Sequence, residues 1–140
     1  MDIARVVARR SNCSRRQVAA LVVSERRIIS TGYNGTPRGI RNCFEGGCAR
    51  CASDSPSGTD LGECICSHAE ENAITHAAYY GTALQGSSIY ITLSPCLFCV
   101  KLIINSGMVE VVYEEDYQFS EQSLALLKEA AIPIRQYEAS

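Results

Sequence analysis

Apolar side chains at Ile3, Val6 and Val7 recur at helical spacing and predict a short opening helix. The period then changes. Residues 17–23 and 27–33 are rich in aliphatic and β-branched side chains, and the Ser24-Glu25-Arg26 break between them predicts a tight hairpin. Residues 68–80 read as an alanine-rich helix ended by Gly81, residues 88–92 as a strand, and residues 95–106 as a helix stopped by Gly107. Leu97, Phe98, Val100, Leu102, Ile103 and Ile104 make that last helix apolar on most sides, which predicts burial between sheet and neighbour. Residues 109–113 have few polar breaks, as in a strand at the centre of a covered sheet. The strand, helix, strand succession over 88–113 implies a right-handed parallel crossover. A final helix carries Leu124, Leu127 and Ala131, and residues 132–137 close as a strand that Pro133 restricts to an edge. Hairpin and crossover together make the sheet mixed.

Residues 41–66 follow no such period, yet contain Cys43, Cys48, Cys51, Cys64 and Cys66. An unstructured loop of this length is uncommon in a compact domain unless something organises it, and a structural zinc is the natural organiser. Cys13 can join from the start of the hairpin. The preferred ligand set is Cys13, Cys43, Cys48 and Cys64, with Cys51 and Cys66 as substitutes.

The 140 residues suit a single domain spanning 1–140, with a Cys-rich insertion at about 41–66. A hydrophobic content of 46% with 20% charged residues is that of a globular chain and excludes extensive disorder. No apolar run is long enough to span a membrane. The apolar stretch 18–23 is brief, follows Arg15 and Arg16 and lacks a cleavage pattern, so no signal peptide and a cytoplasmic location are expected. In that setting eight cysteines point to metal rather than disulfides. A net charge of −2 and a pI of 5.7 offer no footprint for a polyanion, which disfavours nucleic acid as a partner.

His68, Cys96 and Cys99 are soft donors suited to zinc, and three protein ligands leave a fourth tetrahedral position for water. Cys96 and Cys99 stand three residues apart, on one face of a helix for which Ser94 is the expected N-cap and Pro95 the first helical residue. Glu70, two residues from His68, is placed to move protons. A blander reading exists for each. Ser67 and Glu70 also satisfy a capping box, and Cys-x-x-Cys alone fits buried thiols or a redox pair. A wholly structural zinc module, however, has no need of a carboxylate beside an open metal position.

His-x-Glu followed by Pro-Cys-x-x-Cys matches the established zinc-deaminase signature. Together with 68–74, 92–96 and the Thr31-Gly32-Tyr33-Asn34-Gly35-Thr36-Pro37-Arg38-Gly39 loop, it makes nearly the whole chain resemble the zinc-dependent cytidine and deoxycytidylate deaminases, the deoxycytidylate branch in particular. The resemblance implies a cytidine deaminase-like α/β fold, three layers α/β/α around a mixed five-stranded sheet. It implies hydrolysis of dCMP to dUMP with release of ammonia, with Glu70 catalytic and His68, Cys96 and Cys99 on zinc. Deamination of another free base or nucleoside is the nearest alternative. It also implies a second zinc near the insertion, a hexamer, and dCTP and dTTP as effectors, with Mg²⁺ accompanying the triphosphate. Tyr33, Asn34, Gly35, Thr36 and Arg38 are the candidate substrate or effector contacts, and Tyr117 a candidate substrate-facing aromatic. The plain alternatives are a hairpin exit for the loop and ordinary packing for Tyr117.

Overall fold

The computed structural model describes residues 1–139. Helix α1 (Asp2–Ala8) forms as predicted, but Ala4 and Ala8 are its buried residues, while Ile3 and Val6 stay exposed. Strands β1 (Ala19–Ser24) and β2 (Arg27–Tyr33) pair antiparallel. Glu25 and Arg26 both adopt positive φ, 51° and 65°, the twist that a two-residue hairpin turn requires. The Cys-rich segment holds 3-10 turns at Cys43–Glu45 and Leu61–Glu63 around the four-residue helix α2 (Ala49–Ala52).

Helix α3 (Ala69–Tyr80), capped by left-handed Gly81, leads to β3 (Ser88–Leu93), α4 (Leu97–Asn105), β4 (Glu110–Glu115), α5 (Glu121–Glu129) and β5 (Ile134–Gln136). The sheet order is β2-β1-β3-β4-β5. β1 is antiparallel to β2 and β3, whereas β3, β4 and β5 run parallel, so the five-stranded sheet is mixed as expected. β5 is an edge strand, and Pro133 just ahead of it contributes its carbonyl to Val111 N–H. Ala20, Val22, Ile89, Ile91 and Val111 of the sheet pack with Ala69, Ala73 and Ala77 of α3, Val100 and Ile103 of α4, and Leu127 of α5. Leu21 alternates to the opposite face, and α1 lies against β1, β2 and β3.

Two expectations change. α4 buries only one side: Cys99, Val100 and Ile103 are enclosed, but Phe98 is 52% exposed because no element among the described residues covers that flank. Ala131 lies beyond α5, at φ 56°, in the turn that redirects the chain into β5.

The contact that positions the site is between α3 and β2. A Cβ on Gly32 would lie 2.1 Å from Ala69 O and 2.3 Å from Ala73 N, so only glycine lets the helix approach this closely. Ser30 Oγ donates to Ala73 O at 2.7 Å and Asn72 Nδ2 to Tyr33 O at 2.7 Å, fixing rotation and height.

Candidate metal centre and active site

Two helix N-termini converge. His68 is the N-cap of α3 and Cys96 that of α4, with Cys99 in the first turn behind it. The sequence-based N-cap, Ser94, is corrected: Cys96 has extended backbone and its carbonyl accepts from Val100 N–H, the first helical bond. Ser94 Oγ instead accepts from Tyr117 N–H at 2.8 Å, which holds the β4–α5 loop beside the α4 terminus.

His68 Nδ1 is 3.4 Å from Cys96 Sγ and 3.4 Å from Cys99 Sγ. Tetrahedral zinc with ordinary Zn–S and Zn–N bonds needs donors roughly 3.5–3.8 Å apart, so the three side chains fit the ion with little adjustment. Cys99 is buried and Cys96 exposed, so the group reaches solvent on its Cys96 side. The positive ends of both helices favour thiolate there.

Glu70 is 4% exposed and is not the cap of its helix. The capping box sits one residue later, where Glu71 Oε2 accepts from His68 N–H at 3.2 Å, and this frees Glu70 for the site. Burial raises the Glu70 carboxyl to about 7, against the opposing pull of a backbone N–H and of His68. Cys96 is drawn down to about 4, first by the hydrogen bond from Cys99 and then by that from His68. The same contact with Cys96 pushes Cys99 up, and the thiolate's hydrogen bond raises His68 to about 9. One anion thus gathers two protons, which a divalent cation would replace.

The remaining candidates separate. Asn34 Oδ1 accepts from Val18 N–H and its Nδ2 donates to Arg16 O, both at 2.8 Å, so its amide braces the approach to β1. Gly35 pairs with Ser67, the residue before His68, and Thr36 N–H donates to Asn12 Oδ1 at 3.1 Å. Tyr33 lends its carbonyl to Asn72. Arg38 lies 4.4 Å over the ring of Tyr79, near the far end of α3 and roughly 16 Å along the helix from His68. Tyr117 donates to or accepts from Ser57 Oγ at 2.8 Å, and the Arg16 guanidinium stacks 3.8 Å above its ring. Asn12, Gly32 and Arg16 carry these arrangements without any local sequence signal: an asparagine, a glycine and an arginine among several become distinctive only when the segments meet.

The preferred second ligand set does not assemble as one group. Cys13 and Cys43 meet with Cys51 and Cys66, whereas Cys48 and Cys64 meet with Cys51 and Cys66. The two substitutes are the residues common to both groups. Adjacency in space follows how the 41–66 segment folds back on residue 13, which spacing alone does not encode.

One imidazole, two thiols and a buried carboxylate at the meeting of two helix N-termini, on a mixed five-stranded sheet, match the donor pattern of the zinc-dependent deaminases. The family model for the cytidine and deoxycytidylate deaminase zinc-binding region matches residues 1–115. Deoxycytidylate deaminase of Saccharomyces cerevisiae is 45% identical over 98% of this chain, which corresponds to 43% of that protein; the chain thus spans less than half the length of that relative. The human protein of the same name is 33% identical over 98% of this chain and 76% of its own length. Among solved structures, the dCMP deaminase of cyanophage S-TIM5 in complex with dCMP and dUMP superposes with a TM-score of 0.78 at 30% identity, covering 97% of this chain and 92% of the other. The chain belongs to the cytidine and deoxycytidylate deaminase family.

Proposed function

We propose that the chain hydrolyses dCMP to dUMP and ammonia. The observation that carries this is the buried Glu70 carboxyl beside the open His68, Cys96, Cys99 triad, in a chain similar to proteins named for that reaction. A structural module would close the fourth position with protein, and would gain nothing from Glu70. Zinc, when bound, supplies Lewis acidity at that position. Glu70 takes a proton from the attacking water and passes it to N3 of the cytosine ring, then takes the remaining proton from the new C4 hydroxyl and delivers it to the amine, which leaves C4 as ammonia. Cys96 and Cys99 hold the negative end of the site rigid, since both are fixed by the first turn of α4.

Tyr117 and Arg16 are proposed to form the nucleotide's wall and phosphate contact, because the Ser94 bond anchors Tyr117 to the helix of the metal ligands and Arg16 stacks on it. Arg38 is assigned to a dCTP or dTTP effector with Mg²⁺, since it is exposed and remote from His68, while Tyr33, Asn34, Gly35 and Thr36 are assigned to substrate or effector, Gly35 pairing with Ser67 beside His68. The acting unit is taken as one domain over 1–140 with its Cys-rich insertion, assembled as a hexamer. Exposed Ile3, Val6 and Phe98 supply apolar surface for subunit contacts. Among the described residues no helix is long and apolar enough to cross a membrane, and eight free cysteines suit the reducing cytoplasm. The test is ammonia release from dCMP, CMP, deoxycytidine, dCTP and single-stranded DNA. Preference for dCMP is expected, and equal or greater rates with deoxycytidine would refute the monophosphate assignment.

A further inference from the structure

We propose that the Cys-rich segment holds a binuclear zinc cluster in which Cys51 and Cys66 bridge two ions, one completed by Cys13 and Cys43 and the other by Cys48 and Cys64. This deepens the reading of a second zinc and rests on it. The two four-cysteine groups share Cys51 and Cys66, and within each group every ligand atom lies within 4.8 Å of the others. One zinc accepts four thiolates, so a single ion would leave two further sulfurs of this half-buried group of six without a metal. Cys48 Sγ and Cys51 Sγ lie 3.8 and 3.7 Å from Cys64 Sγ, close to the roughly 3.8 Å edge of a tetrahedron built on Zn–S bonds. No pair of these sulfurs is bonded as a disulfide.

Six thiolates around two dications leave a formal charge of about −2. Two guanidiniums brace the cluster: buried Arg50 donates to Pro56 O and Thr59 O, and Arg15 donates to Cys51 O, Ser53 O and Ser55 O. Neither has a carboxylate partner among the described residues, so both positive charges remain to offset the cluster. Ser14 N–H donates to Cys43 Sγ at 3.4 Å, as to a thiolate. The segment has little else to hold it, since its buried hydrophobic cluster consists of these cysteines themselves. Cys66 stands two residues before His68, and Ser67 between them pairs with Gly35, so the cluster also clamps the strand that delivers the active-site histidine.

The experiment is metal analysis of the purified protein and of His68→Ala, with mass-spectrometric mapping of alkylated cysteines. About three zinc ions per chain are expected in the first and about two in the second, with Cys96 and Cys99 newly alkylated and the other six protected. One zinc in His68→Ala, with two cysteines of the cluster alkylated, overturns the binuclear assignment and leaves a mononuclear second site. No zinc there overturns both, and stoichiometric iron in place of zinc overturns the assignment of the ion. If His68→Ala fails to fold, cadmium-113 exchange into the native protein decides: three resonances are expected, two of them coupled to each other through shared sulfur, and two uncoupled resonances refute the bridge. Ammonia release is scored separately, so a full cluster on an inactive chain would count against the deaminase reading alone.

Discussion

At the scale of single residues, Glu70 carries the sharpest consequence. Glu70→Gln keeps the shape and removes the proton transfer, so zinc content should hold while turnover falls by roughly a hundredfold or more. Loss of one zinc with the substitution would instead make Glu70 a ligand. The pH dependence has a definite sign. Burial raises the carboxyl from 4.5 to about 7, a bound cation pulls it back toward the ordinary range, and only the ionised form accepts a proton. The acid limb of kcat/KM should therefore fall between 4.5 and 7, activity being lost as pH drops through it, and should vanish in the residual activity of Glu70→Gln. Arg16→Ala tests the proposed phosphate contact: KM for dCMP should rise about tenfold with little change for deoxycytidine, the scale of one exposed charge-assisted contact. Equal effects on both substrates would mean that Arg16 only packs on Tyr117.

At the scale of elements, the α3–β2 contact decides where His68 and Glu70 stand. Gly32→Ala places a methyl group against backbone atoms of Ala69 and Ala73, which cannot yield without moving the helix. A loss of about 1–3 kcal/mol is expected, with turnover falling alongside. Gly62→Ala is the control, since nothing lies within 4 Å of its added carbon. Thermal unfolding and ammonia release on both variants settle the point: similar behaviour of the two would remove the close-approach argument. The hairpin offers the opposite sign. Arg26 occupies left-handed backbone at φ 65°, and Arg26→Gly should relieve on the order of 1 kcal/mol, seen as a higher denaturation midpoint with unchanged slope.

At the scale of the whole molecule, the proposed effector would act through coupling between the subunits of the proposed hexamer. A triphosphate regulates only if it binds one assembly state better than another. On an oligomer sized by light scattering, dTTP with Mg²⁺ should lower the rate against dCMP and dCTP should raise it. Arg38→Ala should abolish both responses while leaving the basal rate within about twofold, because Arg38 stands far from His68. A monomer, or unchanged rates with no binding by calorimetry, would defeat the effector assignment.

The candidate active-site residues are legible in the chain because their proposed chemistry depends on short spacings. Cys96 and Cys99 share one helical turn, and His68 and Glu70 stand two apart, so any fold that forms these helices presents them as pairs. The hairpin, the crossover and the edge strand were legible for the same reason, their signals being local period and proline chemistry. Which cap closes a helix turned on one residue: Ser94 and Glu70 looked suitable, but Tyr117 engages Ser94 and Glu71 takes the cap, leaving Glu70 to the metal site. The six remaining cysteines read from the sequence as candidate metal ligands but not as particular neighbours, since Cys13 is brought to Cys43, Cys51 and Cys66 across some thirty residues or more by the fold alone. Gly32 and Asn12 belong to the same class. Sequence determines which donors and which helices exist; the close approach of α3 to β2, the burial that raises Glu70 and the sharing of Cys51 and Cys66 arise only when distant segments pack, because desolvation and contact are properties of neighbours in space.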